Sequence, residues 1–129
     1  MNTTLLQGRR ALVTGSVQGI GLAIAKALAR QGATVLLHGL PDLHAQETAR
    51  QAMAGTAGMP VDILSHDLSD PVQVQQMMDE VLCAGPLDIL VNNAGIQHTA
   101  PLPEMPRARW DAILAVNLSA AFDTMRLAL

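Results

Sequence analysis

The chain of 129 residues contains no tyrosine, one tryptophan, one phenylalanine and one cysteine. With 2% aromatic residues and 50% hydrophobic ones, the core must be built from Leu, Ala, Val, Ile and Met. That balance suits Ala-rich helices packed closely on a sheet, in a single domain large enough to bury a real core. The lone Cys83 excludes an internal disulfide and fits a reducing compartment; its helical setting predicts a small core residue. No run of apolar residues approaches membrane-spanning length, and Met1 to Gln7 lacks the apolar stretch of a secretion signal. These absences predict a cytoplasmic protein with no membrane partner. The formal net charge is −3 and no basic patch is visible, so nucleic acid is not expected as a partner. His38, His44, His66 and His98 share no metal-ligand spacing, and no metal site is expected.

What the chain does contain is a glycine loop in the right setting. Arg9 to Val13 reads as a short buried parallel strand. Thr14-Gly15-Ser16-Val17-Gln18-Gly19-Ile20-Gly21 follows, and Ile20, Ala23, Ile24, Ala27 and Leu28 then recur at helical spacing up to Gly32. Gly15 lets the chain reverse, while Gly19 and Gly21 clear side chains from backbone N–H groups at a helix N-terminus, where a pyrophosphate is held. The plain alternative is three glycines that only let a helix pack on a strand. Strand, loop and helix together favour nucleotide binding.

Further strands are predicted at Ala33 to His38, Val61 to Ser65 and Leu87 to Val91, with helices at Asp42 to Ala54 and Pro71 to Ala84. The Gly55 to Pro60 stretch reads as a turn-rich connection. Ser69 or Asp70 caps the helix that starts at Pro71, and Gly85-Pro86 stops it. A long helix runs from Met105 or Arg107 towards the C-terminus. The fold class is therefore α/β, a Rossmann-type doubly wound parallel sheet of about four strands and four helices.

The spacing Thr14-Gly15-x-x-x-Gly19-x-Gly21, followed about 75 residues later by Asn92-Asn93-Ala94-Gly95 after a strand, resembles the short-chain dehydrogenase/reductase family. The resemblance implies strand order 3-2-1-4, with a crevice between the first and fourth strands. It also implies hydride transfer between a nicotinamide dinucleotide and a carbinol carbon. Residues carried over as cofactor-binding are Thr14, Gly15, Ser16, Gln18, Gly19, Ile20, Gly21, Asp67, Leu68, Asn93, Ala94 and Gly95. In the family the aspartate at the Asp67 position reaches the adenine amino group; the local alternative is a capping turn with Ser69 and Asp70. Asn92, Ala94 and Gly95 would lie under the adenosine ribose, and Asn92 could equally be a structural tie. Asn117 matches a family asparagine of the proton relay, and an asparagine inside a helix costs about 0.6 kcal/mol against alanine.

The second strand ends His38-Gly39-Leu40-Pro41-Asp42, with no arginine to meet a 2′-phosphate, which favours NAD over NADP. The stretch Asn93 to Pro101, with Trp110 to Leu114, is similar to the branch of the family that acts on 3-hydroxybutyrate. By that likeness Gln97 helps hold a substrate carboxylate, against the alternative of a solvent-facing loop glutamine.

The resemblance covers the whole chain but about the first half of a family member. The family's catalytic serine, tyrosine and lysine have no counterparts: there is no tyrosine, and the only lysine is Lys26 in the first helix. The expectation is a dinucleotide-binding half-domain spanning 1–129, inactive alone, as the front half of an oxidoreductase. The alternative is a non-catalytic nucleotide-binding or oligomerisation module. Ile113, Leu114, Val116, Leu118, Phe122, Met125 and Leu127 give the last helix more apolar surface than one sheet face covers. A homo-oligomer, or association through that helix, is therefore expected.

Overall fold

The computed structural model describes residues 5–57 and 61–129. The start of the N-terminal segment and the Gly58 to Pro60 end of the predicted connection lie outside them. Four parallel strands, β1 (Arg10–Val13), β2 (Thr34–Gly39), β3 (Ile63–Ser65) and β4 (Ile89–Val91), form one sheet in the order β3-β2-β1-β4. Helix α1 (Gly19–Arg30) links β1 to β2, α2 (Leu43–Ala57) links β2 to β3, and α3 (Pro71–Cys83) links β3 to β4. This is the Rossmann-type arrangement that the two glycine-bearing signatures imply.

Strand alternation divides the core in two. On one face Ala11, Val13, Val35 and Leu37 pack with Ala25 and Ala29 of α1 and with Ala49 and Met53 of α2. Buried Gly21, Ala25 and Ala29 recur every fourth residue, so α1 presents a stripe of small side chains. On the other face Leu12, Leu36 and Leu64 meet Val74, Met77, Met78 and Val81 of α3. Asp70 is the N-cap of α3, accepting from the Val72 N–H at 3.0 Å, a contact worth about 1 kcal/mol. Arg10 closes the other end of α3, donating from its guanidinium to the carbonyls of Val81 at 2.9 Å and Gly85 at 2.6 Å.

Three expectations are corrected. Helix α2 continues to Ala57, because Gly55 does not take the positive φ with which a glycine ends a helix. Cys83 is exposed, since it falls off the stripe formed by Val74, Met77, Met78 and Val81. The long C-terminal helix is not uniform: α4 (Arg107–Leu114) and α5 (Ala120–Ala128) are joined by a π turn at Ala115–Ser119. Helix α5 docks through buried Ala120 and Thr124, which leaves Phe122 and Met125 on its outer side 59% and 51% exposed, and Leu118 of the π turn before it is 64% exposed. Among the described residues no helix is long and apolar enough to cross a membrane.

Candidate functional site

The site lies at the carboxyl ends of β1, β2 and β4, where parallel α/β sheets leave a crevice. A cleft of about 670 Å³ opens there, lined by Gly15 and Val17 to Gly21 of the glycine loop, the β2 end, the segment after β3, the Asn93 to Ile96 turn and Val116. That size suits a small-molecule or cofactor pocket.

The loop's shape follows from its glycines. Gly15 stands at φ +61°, and a Cβ there would lie 2.9 Å from the Ala94 Cα. Gly21 is buried under Gly15 and Asn93, so that a Cβ would overlap the Gly15 carbonyl oxygen. Gly19, at φ +60°, has open space where a side chain would begin. The N-cap residue Gln18 makes no side-chain bond to the first turn of α1. The leading N–H groups of that helix therefore keep no side-chain cap where they open on the cleft, a setting made for an anion.

Thr14 ties the two signatures together. Its buried hydroxyl oxygen accepts from the Asn93 and Ala94 N–H groups, each at 3.0 Å. The Asn93 amide returns the bond, donating to the carbonyls of Thr14 at 3.2 Å and Gly15 at 3.0 Å. Each such bond contributes about 1 kcal/mol, and more is lost if one partner is left buried and alone. Of the residues expected to touch a cofactor, Gly15, Gln18, Gly19, Ile20, Gly21, Asp67, Leu68, Asn93, Ala94 and Gly95 line the cleft. Thr14 and Ser16 do not. They are buried beneath it, and the Ser16 hydroxyl donates to the Val13 carbonyl at 2.6 Å and accepts from the His38 N–H at 3.0 Å.

Asp67 lines the cleft and also shapes its own turn, accepting from the Ser69 N–H at 2.9 Å and the Ser69 hydroxyl at 2.8 Å. Asn92 points away, its carbonyl accepting from the buried Thr124 hydroxyl at 2.7 Å, so it fastens β4 to α5. Asn117 sits in the π turn and clasps the backbone of Ile96: its carbonyl accepts the Ile96 N–H at 2.9 Å, and its amide donates to the Ile96 carbonyl at 2.8 Å. This pair gives the polar side chain partners that an ordinary mid-helix asparagine lacks. Gln97 is exposed on the next residue and is not among those lining the cleft.

His38 also lines the cleft, though no motif points to it. It is 4% exposed, at the end of β2, and its ring touches both the glycine loop and the chain after β3. Its position carried a signal: a polar residue closing a buried parallel strand beside the loop needs hydrogen-bond partners, and the loop backbone offers them. Burial holds the His38 pKa below the usual histidine value, a hydrogen bond to His66 opposing that shift and the nearby His66 ring adding to it. Among the described residues no three His, Cys, Asp or Glu side chains are grouped to hold a metal ion.

The sequence matches the family model for short chain dehydrogenase over residues 9–129. It is 50% identical over 126 residues to the D-beta-hydroxybutyrate dehydrogenase of Cupriavidus necator, covering 97% of this chain and 48% of that protein. It is 42% identical to the gluconate 5-dehydrogenase of Gluconobacter oxydans, over 91% of this chain and 45% of that one. Among solved structures, a short chain dehydrogenase from Burkholderia cenocepacia in complex with NADP superposes with a TM-score of 0.87 at 40% identity, covering 95% of this chain and 50% of its own. The chain thus spans about half the length of the relatives it matches. With both glycine signatures meeting through Thr14 and Asn93 at the crevice, and the match running from Arg9 to Leu129, the chain belongs to the short-chain dehydrogenase family.

Proposed function

We propose that the cleft binds the adenosine and pyrophosphate of NAD, in an oxidoreductase that moves hydride between that cofactor and a 3-hydroxy acid. The observation that carries the reading is the first turn of α1, free of any side-chain cap and with open space at Gly19, facing a cleft of about 670 Å³. The N–H groups of Gly19, Ile20 and Gly21 meet the pyrophosphate. Asp67 and Leu68 flank the adenine, and Asn93, Ala94 and Gly95 form the floor beneath the ribose. Asn117 fixes the Ile96 backbone beside the reacting end, and Gln97 donates to a substrate carboxylate. NAD, when bound, supplies the hydride acceptor. The sequence carries no tyrosine to take the hydroxyl proton, so these residues by themselves bind nucleotide without turning over substrate.

NAD is preferred to NADP for two reasons. The cleft lining includes Asp42 and Asp67 but no Lys or Arg. Gly39, at the strand end on the cleft wall, carries no side chain to meet a 2′-phosphate, and one built there would press on Val17 at 2.8 Å. Calorimetric titration of the chain is expected to show weak NAD binding and still weaker NADP binding. Asp42→Asn, which keeps an acceptor for the Ala45 N–H that Asp42 now caps at 3.1 Å, is expected to improve NADP relative to NAD. One charge removed near a 2′-phosphate is worth about 1 kcal/mol, or about fivefold. No binding of NAD or AMP at millimolar concentration would overturn the reading.

A second reading, a non-catalytic module that pairs through its last helix, is favoured by the outward stripe of Leu114, Leu118, Phe122 and Met125. Self-association through this stripe predicts that Phe122→Glu with Met125→Glu turns an oligomer into a monomer in sedimentation experiments. A parent chain that is monomeric and does not co-purify with a full-length relative removes this second reading.

A further inference from the structure

The ring of His38 holds a tautomer that its partners dictate. Nδ1 lies 2.8 Å from the Gly15 backbone nitrogen, which can only donate, so Nδ1 must be the bare acceptor. Nε2 lies 2.9 Å from the His66 carbonyl oxygen, which can only accept, so Nε2 carries the proton. The same residue's backbone N–H and carbonyl engage Ser16, at 3.0 Å to its hydroxyl and 2.8 Å to its N–H. On its other side Gly15 abuts Ala94 too closely for a Cβ to fit. The start of the glycine loop is therefore gripped between the β4 turn and one imidazole.

We propose that His38 is a positioning residue for the pyrophosphate loop: as the neutral Nε2–H tautomer it fixes Gly15 against the end of β3, and its protonation releases the loop and weakens dinucleotide binding. The proposal rests on the nucleotide reading above for its effect on affinity, but the grip itself is independent of any ligand. A proton on Nδ1 would set donor against donor and cost Gly15 its acceptor. The titratable groups around the ring are His66 after β3, itself bonded to Glu80 of α3 at 3.0 Å, with Asp42 and Asp67 on the cleft wall. The β1 end and the loop face it with backbone groups and the Ser16 hydroxyl.

The direction of the pH effect follows from the lowered pKa. The unfolded chain binds the proton more readily than the folded one, so stability from the neutral ring is complete above the ordinary histidine value. It declines as pH falls from that value through the lower folded one. Affinity that requires the neutral ring is level above the folded pKa and drops tenfold per pH unit below it.

Two measurements test this on the whole chain. Imidazole nitrogen NMR at neutral pH is expected to show His38 with a bare Nδ1, a protonated Nε2, and scalar coupling from the Gly15 N–H into Nδ1. On acidification the amide signals of Gly15 and Gly19 are expected to move with the His38 titration. A protonated Nδ1, or loop amides indifferent to that titration, overturns the proposal whether or not nucleotide binds. NAD is then titrated across the same pH range, its pyrophosphate charge being constant there. The parent is expected to lose affinity with the His38 midpoint, while His38→Asn, whose side-chain carbonyl can still accept from Gly15 but does not titrate, binds NAD with a level profile. A variant profile that falls like the parent's assigns the effect elsewhere and overturns the proposal. Parent chain that binds no NAD at any pH defeats the nucleotide reading, and the amide signals alone then decide the role of His38.

Discussion

Gly19→Asp is expected to weaken NAD binding by at least about 100-fold, close to 3 kcal/mol, while leaving the chain folded. The residue begins α1 at φ +60° and a side chain built on it meets no protein atom within 4 Å. Aspartate tolerates the left-handed region better than most residues, so the conformational cost is about 1 kcal/mol. The new carboxylate would stand where the pyrophosphate belongs, filling its space and repelling its charge. Calorimetry checks the affinity, and a urea melt close to the parent's checks the fold. A variant that binds NAD as the parent does shows that the loop is not the phosphate site.

Gly21→Ala is expected to do the opposite, destabilising the fold by about 3 kcal/mol or more and lowering the melting temperature by about 10 °C. Two positions along the same helix, the added methyl would overlap the Gly15 carbonyl oxygen and crowd the Asn93 amide nitrogen. Neither can retreat cheaply. The Gly15 oxygen belongs to a loop wedged against Ala94, and the Asn93 amide holds both Thr14 and Gly15. Moving it breaks two bonds of about 1 kcal/mol each. Urea denaturation monitored by circular dichroism measures the loss; a parent-like midpoint would mean that the approach of α1 to the Asn93 turn is looser than described. Of the two glycines, one keeps space for a ligand and the other keeps space for the protein.

The difference between those glycines was not legible in the sequence, where both simply occupy signature positions. The parallel sheet was legible from strand-loop-helix periodicity, and its order from the family resemblance that the two spaced motifs carry. The crevice followed from that order. Side-chain partners were harder to read. Thr14 and Ser16 looked like ligand contacts, yet their hydroxyls satisfy buried backbone groups, a need set by packing that a linear motif does not display. Asn117 was legible as unusual, but the π turn that lets it clasp Ile96 depends on a contact 21 residues away. His38 has no metal-ligand spacing, and the signal it carries is a polar side chain near the end of a buried strand, which calls for partners. Cys83 was legible after all: the stripe through Val74, Met77, Met78 and Val81 already placed it outside the core.

The sheet order also sets what the crevice costs in chain entropy. In β1, Arg10 pairs with Thr34 of β2 across the nearby α1 connection, whereas Ala11 pairs with Ile89 of β4 across most of the chain. Closing a loop about three times longer costs about 1 kcal/mol more in chain entropy. The first three strands and their helices can thus collapse together before the last strand arrives. The bonds from Thr14 to Asn93 and Ala94 can form only at that arrival. The crevice therefore rests on the longest-range pairing of the sheet, the one with the largest chain-entropy cost.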